Sequence, residues 1–131
     1  MRRCWVWGPV LALVGCHMGG RVDRFAPANG PEGVAVALEL RRGGRAQGEL
    51  LAVQDTALVV LAQDTVTLVP YGALETGEFS QVEGELRGTP PAPDFARRLR
   101  LVSRFPQGLT PDMLARLLAA YGQSALKVVA R

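Results

Sequence analysis

A chain of 131 residues with 48% hydrophobic and 21% charged residues has the size of one ordinary domain and enough apolar content to bury a core, which excludes disorder throughout. Its formal charge of +3 is unevenly placed, with four arginines against eight acids in residues 34–88 and seven cations against two acids in residues 89–131. Both cysteines, Cys4 and Cys16, and the single histidine, His17, lie at the N-terminal end, so the remainder carries neither a disulfide nor a Cys- or His-based metal centre.

The first segment is ordered like an export signal. Arg2 and Arg3 precede an apolar run from Cys4 to Val14, broken by Gly8-Pro9, and its 11 residues fall short of the roughly 20 that a membrane-spanning helix needs. The run ends in Leu13-Val14-Gly15-Cys16, which resembles the lipobox of bacterial lipoproteins. That resemblance implies cleavage between Gly15 and Cys16, a diacylglyceryl group on the Cys16 thiol and a fatty acyl chain, such as palmitate, on the new amine. The chemistry fits the spacing, since a small residue must precede the cut and only a thiol accepts the lipid. Two or three chains anchor stably where one is marginal. Residues 1–15 are then the signal peptide, and losing Arg2 and Arg3 leaves thirteen cations against twelve acids, a charge of +1. His17 stands where an Asp would favour inner-membrane retention in enterobacterial lipoproteins. The resemblance therefore implies a lipid anchor on the extracytoplasmic side, in the outer membrane where the organism has one. His17 itself reads as a tolerated linker residue.

Residues 16–33 are rich in Gly, Pro, Ala and Asn without hydrophobic periodicity, which predicts a flexible lipidated tether. At about 3.3 Å per residue its stretched reach is on the order of 55 Å.

Ordered structure is predicted from Val34. Val34, Val36, Leu38 and Leu40 alternate with Ala35, Ala37, Glu39 and Arg41, the period-two pattern of a half-buried strand. Gly43-Gly44 makes a turn, a second strand runs through Gln47 to Val53, and Gln54-Asp55-Thr56 makes the next turn. Ala57 to Ala62 is a nearly continuous apolar strand, Gln63-Asp64 a turn, and Thr65 to Pro70 a fourth strand. Short strands joined by tight turns predict a small antiparallel barrel of five strands over residues 34–88.

Within that stretch, the alternating aliphatics, Gly43, Gly48, Leu50, the acidic turn at Asp55 and the aliphatic strand Leu58 to Leu61 resemble the first Sm motif. Val69-Pro70-Tyr71-Gly72-Ala73-Leu74 is similar to the short turn of the second. The resemblance implies an Sm-like barrel in which Gly48 relieves crowding where a long strand bends. It does not extend to RNA binding. Where the family carries an Asn after the acidic turn this chain has Val59, and Tyr71 is followed by Gly72 and Ala73 rather than by charged groups. Tyr71 alone could stack on a base, but it reads better as a packing residue with its hydroxyl at the surface. An acidic barrel also repels phosphates. Glu75, Glu78, Glu83 and Glu85 read as a solvated strand face, since no further ligand motif accompanies them.

After residue 88, Thr89-Pro90-Pro91-Ala92-Pro93 makes a stiff break. Asp94 is expected to cap a helix with Phe95, Leu99 and Val102 on one face and Arg97, Arg98, Arg100 and Arg104 on the other. Thr110, Pro111 and Asp112 mark a second helix start, Met113, Leu114, Leu117, Leu118 and Tyr121 form its stripe, and Gly122 stops it. Ala125 to Val129 fits a last strand or a docked turn equally. The basic residues of this region suit either anionic headgroups or docking on the barrel with the arginines in solvent or paired with its acids. Docking is favoured because the apolar stripes need burial.

The fold class is thus mainly β with two C-terminal helices. No nucleophile–base pair, phosphate loop or metal spacing appears, so no catalytic residue, metal or cofactor is assigned. The expected role is a non-catalytic structural or protein-interaction module, held to the membrane through the covalent lipid on Cys16 and meeting an envelope protein partner. The alternatives are an Sm-like nucleic-acid-binding protein, for which the binding residues are missing, and a lipid- or peptide-binding module using the C-terminal helical stripe.

Overall fold

The computed structural model describes residues 33–131. The signal peptide, Cys16, His17 and all of the tether except Gly33 lie outside the described residues. In chain order the elements are β1 (Ala35–Leu40), β2 (Arg45–Val53), β3 (Ala57–Ala62), β4 (Thr65–Pro70), a 3-10 turn (Tyr71–Ala73), β5 (Leu74–Phe79), β6 (Val82–Leu86), α1 (Pro93–Val102), α2 (Pro111–Ala120) and β7 (Lys127–Val128).

One seven-stranded sheet holds them in the order β6-β5-β1-β2-β3-β4-β7. All ladders are antiparallel except β4 with β7. The third and fourth strands match the sequence reading at both ends, because Gln63 and Asp64 adopt the positive φ of a tight hairpin turn (53° and 61°). Residues 34–88 hold six strands where five are expected, and the tail, which fits a strand or a docked turn, adds a seventh. The added strand is β6, whose Val82 and Leu86 flank Glu83-Gly84-Glu85, a weak apolar signal; β7 has just two residues. The sheet is open, with β6 and β7 as its two edges.

A bulge in β2 explains how one sheet packs on both faces. The β2–β3 register shifts between Leu50 and Ala52, so that Leu51 and Ala52 together oppose one residue. Leu50 and Val53 therefore join one core, with Val36, Leu38, Leu58, Val60, Val69 and Leu74, while Leu51 and Ala52 join the other, with Val59, Val66, Phe105 and Leu117. The continuous apolar run of β3 reflects burial on both sides. Each fully buried leucine contributes about 1.5–3 kcal/mol.

The helices cover these two faces. Phe95 and Leu99 of α1 close the first core, and Leu117 of α2 sits in the second with Met113, Leu114, Leu118 and Tyr121 half-buried around it. Docking on the sheet is thus the arrangement the structure shows. Thr110 caps α2 as its sequence implies, its Oγ1 accepting from the Met113 N–H at 3.1 Å. Asp94 does not cap α1. The N-cap is Ala92, Pro93 occupies the first turn, and Asp94 pairs instead with Arg97. Gly122 (φ +69°) ends α2 in a Schellman arrangement, its N–H bonding Ala119 O at 3.1 Å and that of Gln123 bonding Leu118 O at 2.9 Å.

Candidate functional site

Cys16 and Gly15, on which the lipid anchor would be built, lie outside the described residues. The described residues show instead how the chain is received where the tether ends. Gly33 is wedged between β2 and the segment after α1, and a Cβ on it would stand 2.1 Å from Leu50 O and 2.8 Å from Arg104 N. No side chain fits there. The Gly33 N–H donates to Glu49 Oε2 at 2.7 Å, and the Val34 N–H donates to Val102 O at 3.0 Å.

Arg104 completes this junction. Its Nε and Nη2 donate to the two Glu49 carboxylate oxygens at 2.5 and 2.6 Å, a bidentate pair. Its side chain is 9% exposed and that of Glu49 15%. The sequence reading placed Arg104 on a solvent-facing or acid-paired helix face. It is acid-paired, but it lies past the end of α1 and is buried. The bulge in β2 supplies the reason, since the Leu50 and Leu51 carbonyls accept from Arg104 N (3.0 Å) and Phe105 N (2.8 Å). Two successive carbonyls thereby draw residues 104–105 onto the strand and carry the guanidinium to Glu49.

The positions compared with Sm-type RNA-binding residues fall into packing roles. Val59 is in the core beneath α2, Ala73 is buried, and Gly72 is exposed beside the Arg131 side chain. Tyr71 is 2% exposed, so no ring face is available for a base. Its hydroxyl is not at the surface as expected but donates to Gln54 O at 2.8 Å. Burial pushes its phenol up to about 12, while the Arg100 cation lowers it and the Asp55 carboxylate raises it.

The acidic side chains singled out in the sequence lie in solvent. Glu75, Glu78, Glu83 and Glu85 are all exposed on β5 and β6, as a solvated face requires, and Glu85 pairs with Arg87 at 3.0 Å. Arg100 approaches Asp55 at 3.8 Å and Arg116 pairs with Asp112 at 3.2 Å, both in solvent-exposed settings where such pairs contribute little. Among the described residues no group of three His, Cys, Asp or Glu side chains could hold a metal ion. Ser103 Oγ donates to Arg100 O at 2.7 Å, Ser80 Oγ accepts from the Ala35 N–H at 3.1 Å, and Ser124 is exposed. Among the described residues, one depression lies over Gly33, Gly48 and Glu49 and another is lined by Glu39, Arg45, Gln47, Thr76 and Glu78.

Sequence reasoning missed the Glu49–Arg104 pair and a second device at the opposite side of the sheet. The Gln123 side-chain amide reads both backbone groups of Val66, accepting from its N–H at 2.6 Å and donating to its carbonyl at 3.1 Å. One residue pair further along, β7 takes over the same edge, with Val129 N–H on Leu68 O at 3.0 Å. The C-terminal tail therefore resolves into a strand that covers the β4 edge. No local signal announces either contact.

Comparison with known protein families, with curated proteins and with solved structures finds no match to this chain. No helix among the described residues is long and apolar enough to cross a membrane.

Proposed function

We propose that the protein is a membrane-anchored envelope lipoprotein whose domain acts as a non-catalytic structural or protein-interaction module. The observation that carries this reading is the order Arg2-Arg3, apolar run, Leu13-Val14-Gly15-Cys16, in which each part meets a separate requirement of export, cleavage and lipid attachment. The anchor lies on the extracytoplasmic side, in the outer membrane where there is one. The working surface is then protein-facing, toward an envelope partner.

We further read the strand order β5-β1-β2-β3-β4 of the open sheet as Sm-like, with β6 and β7 added at its two edges. Three features support this: β5 returns to pair with β1, a one-turn 3-10 helix joins β4 to β5 at Tyr71–Ala73, and Gly48 makes a close approach that no side chain could share. A Cβ on Gly48 would stand 1.8 Å from Leu61 O. The buried ring of Tyr71 and the packing of Val59 favour an interaction module over a nucleic-acid-binding one.

The test is metabolic labelling with a fatty-acid analogue, followed by membrane fractionation. The wild-type chain should carry label and sediment with membranes, and Cys16→Ser should lose both. Label retained in Cys16→Ser, or an unlabelled soluble wild type, would refute the anchor.

A further inference from the structure

We propose that the exposed face of α1 carrying Arg97, Arg98 and Leu101 rests on the anionic lipid surface to which the chain is anchored. The inference depends on the lipoprotein reading above and adds to it an orientation of the domain. Beyond Pro93 at its start, the exposed positions of α1 are Asp94, Arg97, Arg98 and Leu101, while Phe95, Ala96 and Leu99 between them are buried; their i, i+3, i+4, i+7 spacing puts these four on one helix face.

Leu101 is 56% exposed, and only Val128 is comparably exposed among the large hydrophobic side chains described. The two arginines flank it one helical turn back. Arg97 is partnered by Asp94, whereas Arg98 has no carboxylate partner among the described residues: its guanidinium lies over the Phe95 ring, 5.4 Å from its centroid, and donates to the Glu83 carbonyl at 3.5 Å. The face therefore carries a net charge of about +1 with an apolar tip, the pattern of a weak interfacial contact. Arg100 lies at its rim, shared with Asp55 at 3.8 Å.

Such a face would not hold a free domain on a bilayer, and the point of attachment decides the matter. The Val34 N–H bonds Val102 O at 3.0 Å, so the chain leading back to Cys16 departs beside the residue that follows Leu101. Val128 has no such advantage, because it lies on the outer strand β7, separated from β2 by β3 and β4. A tether of this length holds the face near the lipid at an effective concentration on the order of millimolar. Contacts too weak to bind from solution then become populated.

The experiment uses the native lipidated chain, reconstituted in vesicles, with Leu101→Cys carrying an environment-sensitive dye. In vesicles containing phosphatidylglycerol the dye should shift to the blue and be quenched by lipid-borne quenchers, and high salt should reverse both. Replacing Arg98 by Gln should reduce docking about fivefold, the factor that corresponds to about 1 kcal/mol per cation near an anionic surface, without releasing the protein from the vesicles. A dye that stays in water on anionic vesicles, while the protein floats with them, overturns the proposal and leaves the anchor standing. Protection that appears without vesicles and grows with protein concentration would show a second copy on this face and also overturn it. A chain that neither floats nor carries lipid mass would overturn both readings.

Discussion

Glu49 and Arg104 are 55 residues apart in the chain, and their contact was not legible in the sequence. A glutamate in a strand and an arginine after a helix are each usually solvated. What brings them together is the extra residue in β2, which turns the Leu50 and Leu51 carbonyls toward residues 104–105. Breaking a buried pair by removing one partner leaves an uncompensated charge, at a cost of about 3–5 kcal/mol. Arg104→Ala should accordingly lower the denaturation midpoint far more than Arg97→Ala, whose side chain is solvated; equal effects would mean that Arg104 is exposed in solution. Tyr71 makes a second prediction at this scale. Its phenol stays neutral to higher pH in the folded chain than in the unfolded one, so the folded state is not penalised below pH ~10, the unfolded value, and loses stability as pH rises from there toward about 12. In a Tyr121→Phe background, ultraviolet titration should show phenolate only near pH 12 or together with unfolding. Reversible ionisation near pH 10 in the folded chain would contradict the buried hydroxyl.

Elements were legible where their signals are local. Strands β3 and β4 were read to the residue because a polar turn separates two apolar runs, and the start of α2 was read because Thr110 and Pro111 act on the backbone beside them. The start of α1 was misplaced for a related reason. Asp94 has the chemistry of a cap, but Pro93 fits the first helical turn and moves the boundary upstream to Ala92. β6 is not legible, and the tail around β7 is legible only as a strand or a docked turn, because their partners, not their own residues, make them strands. Gln123 is the clearest case, since its amide completes the β4 edge 57 residues away in sequence. Gln123→Ala should speed exchange of the Val66 amide and destabilise the domain by about 1 kcal/mol, with more expected if Val66 is left unsatisfied. Unchanged protection at Val66 would show that the tail does not guard this edge.

At the scale of the whole molecule, fold class and helix docking could be argued from burial requirements, since the apolar stripes of both helices had to find a sheet face. Closure of the sheet could not, because it depends on how far the strands curl and on where β6 and β7 attach. The same asymmetry applies to function. The proposed location rests on a short linear pattern ending at Cys16, whereas a protein partner would be recognised by a surface assembled from distant residues. What the described residues show is a sheet with a helix docked on each face and its N-terminal end, Gly33, held at the buried Glu49–Arg104 pair.

The most direct measurement is intact-mass analysis of the protein purified from membranes, with sequencing of its N-terminal fragment. The expected result is a chain that begins at Cys16 and carries the mass of a diacylglyceryl group together with an acyl chain. A chain retaining Met1, or one starting at another residue without lipid, would contradict it.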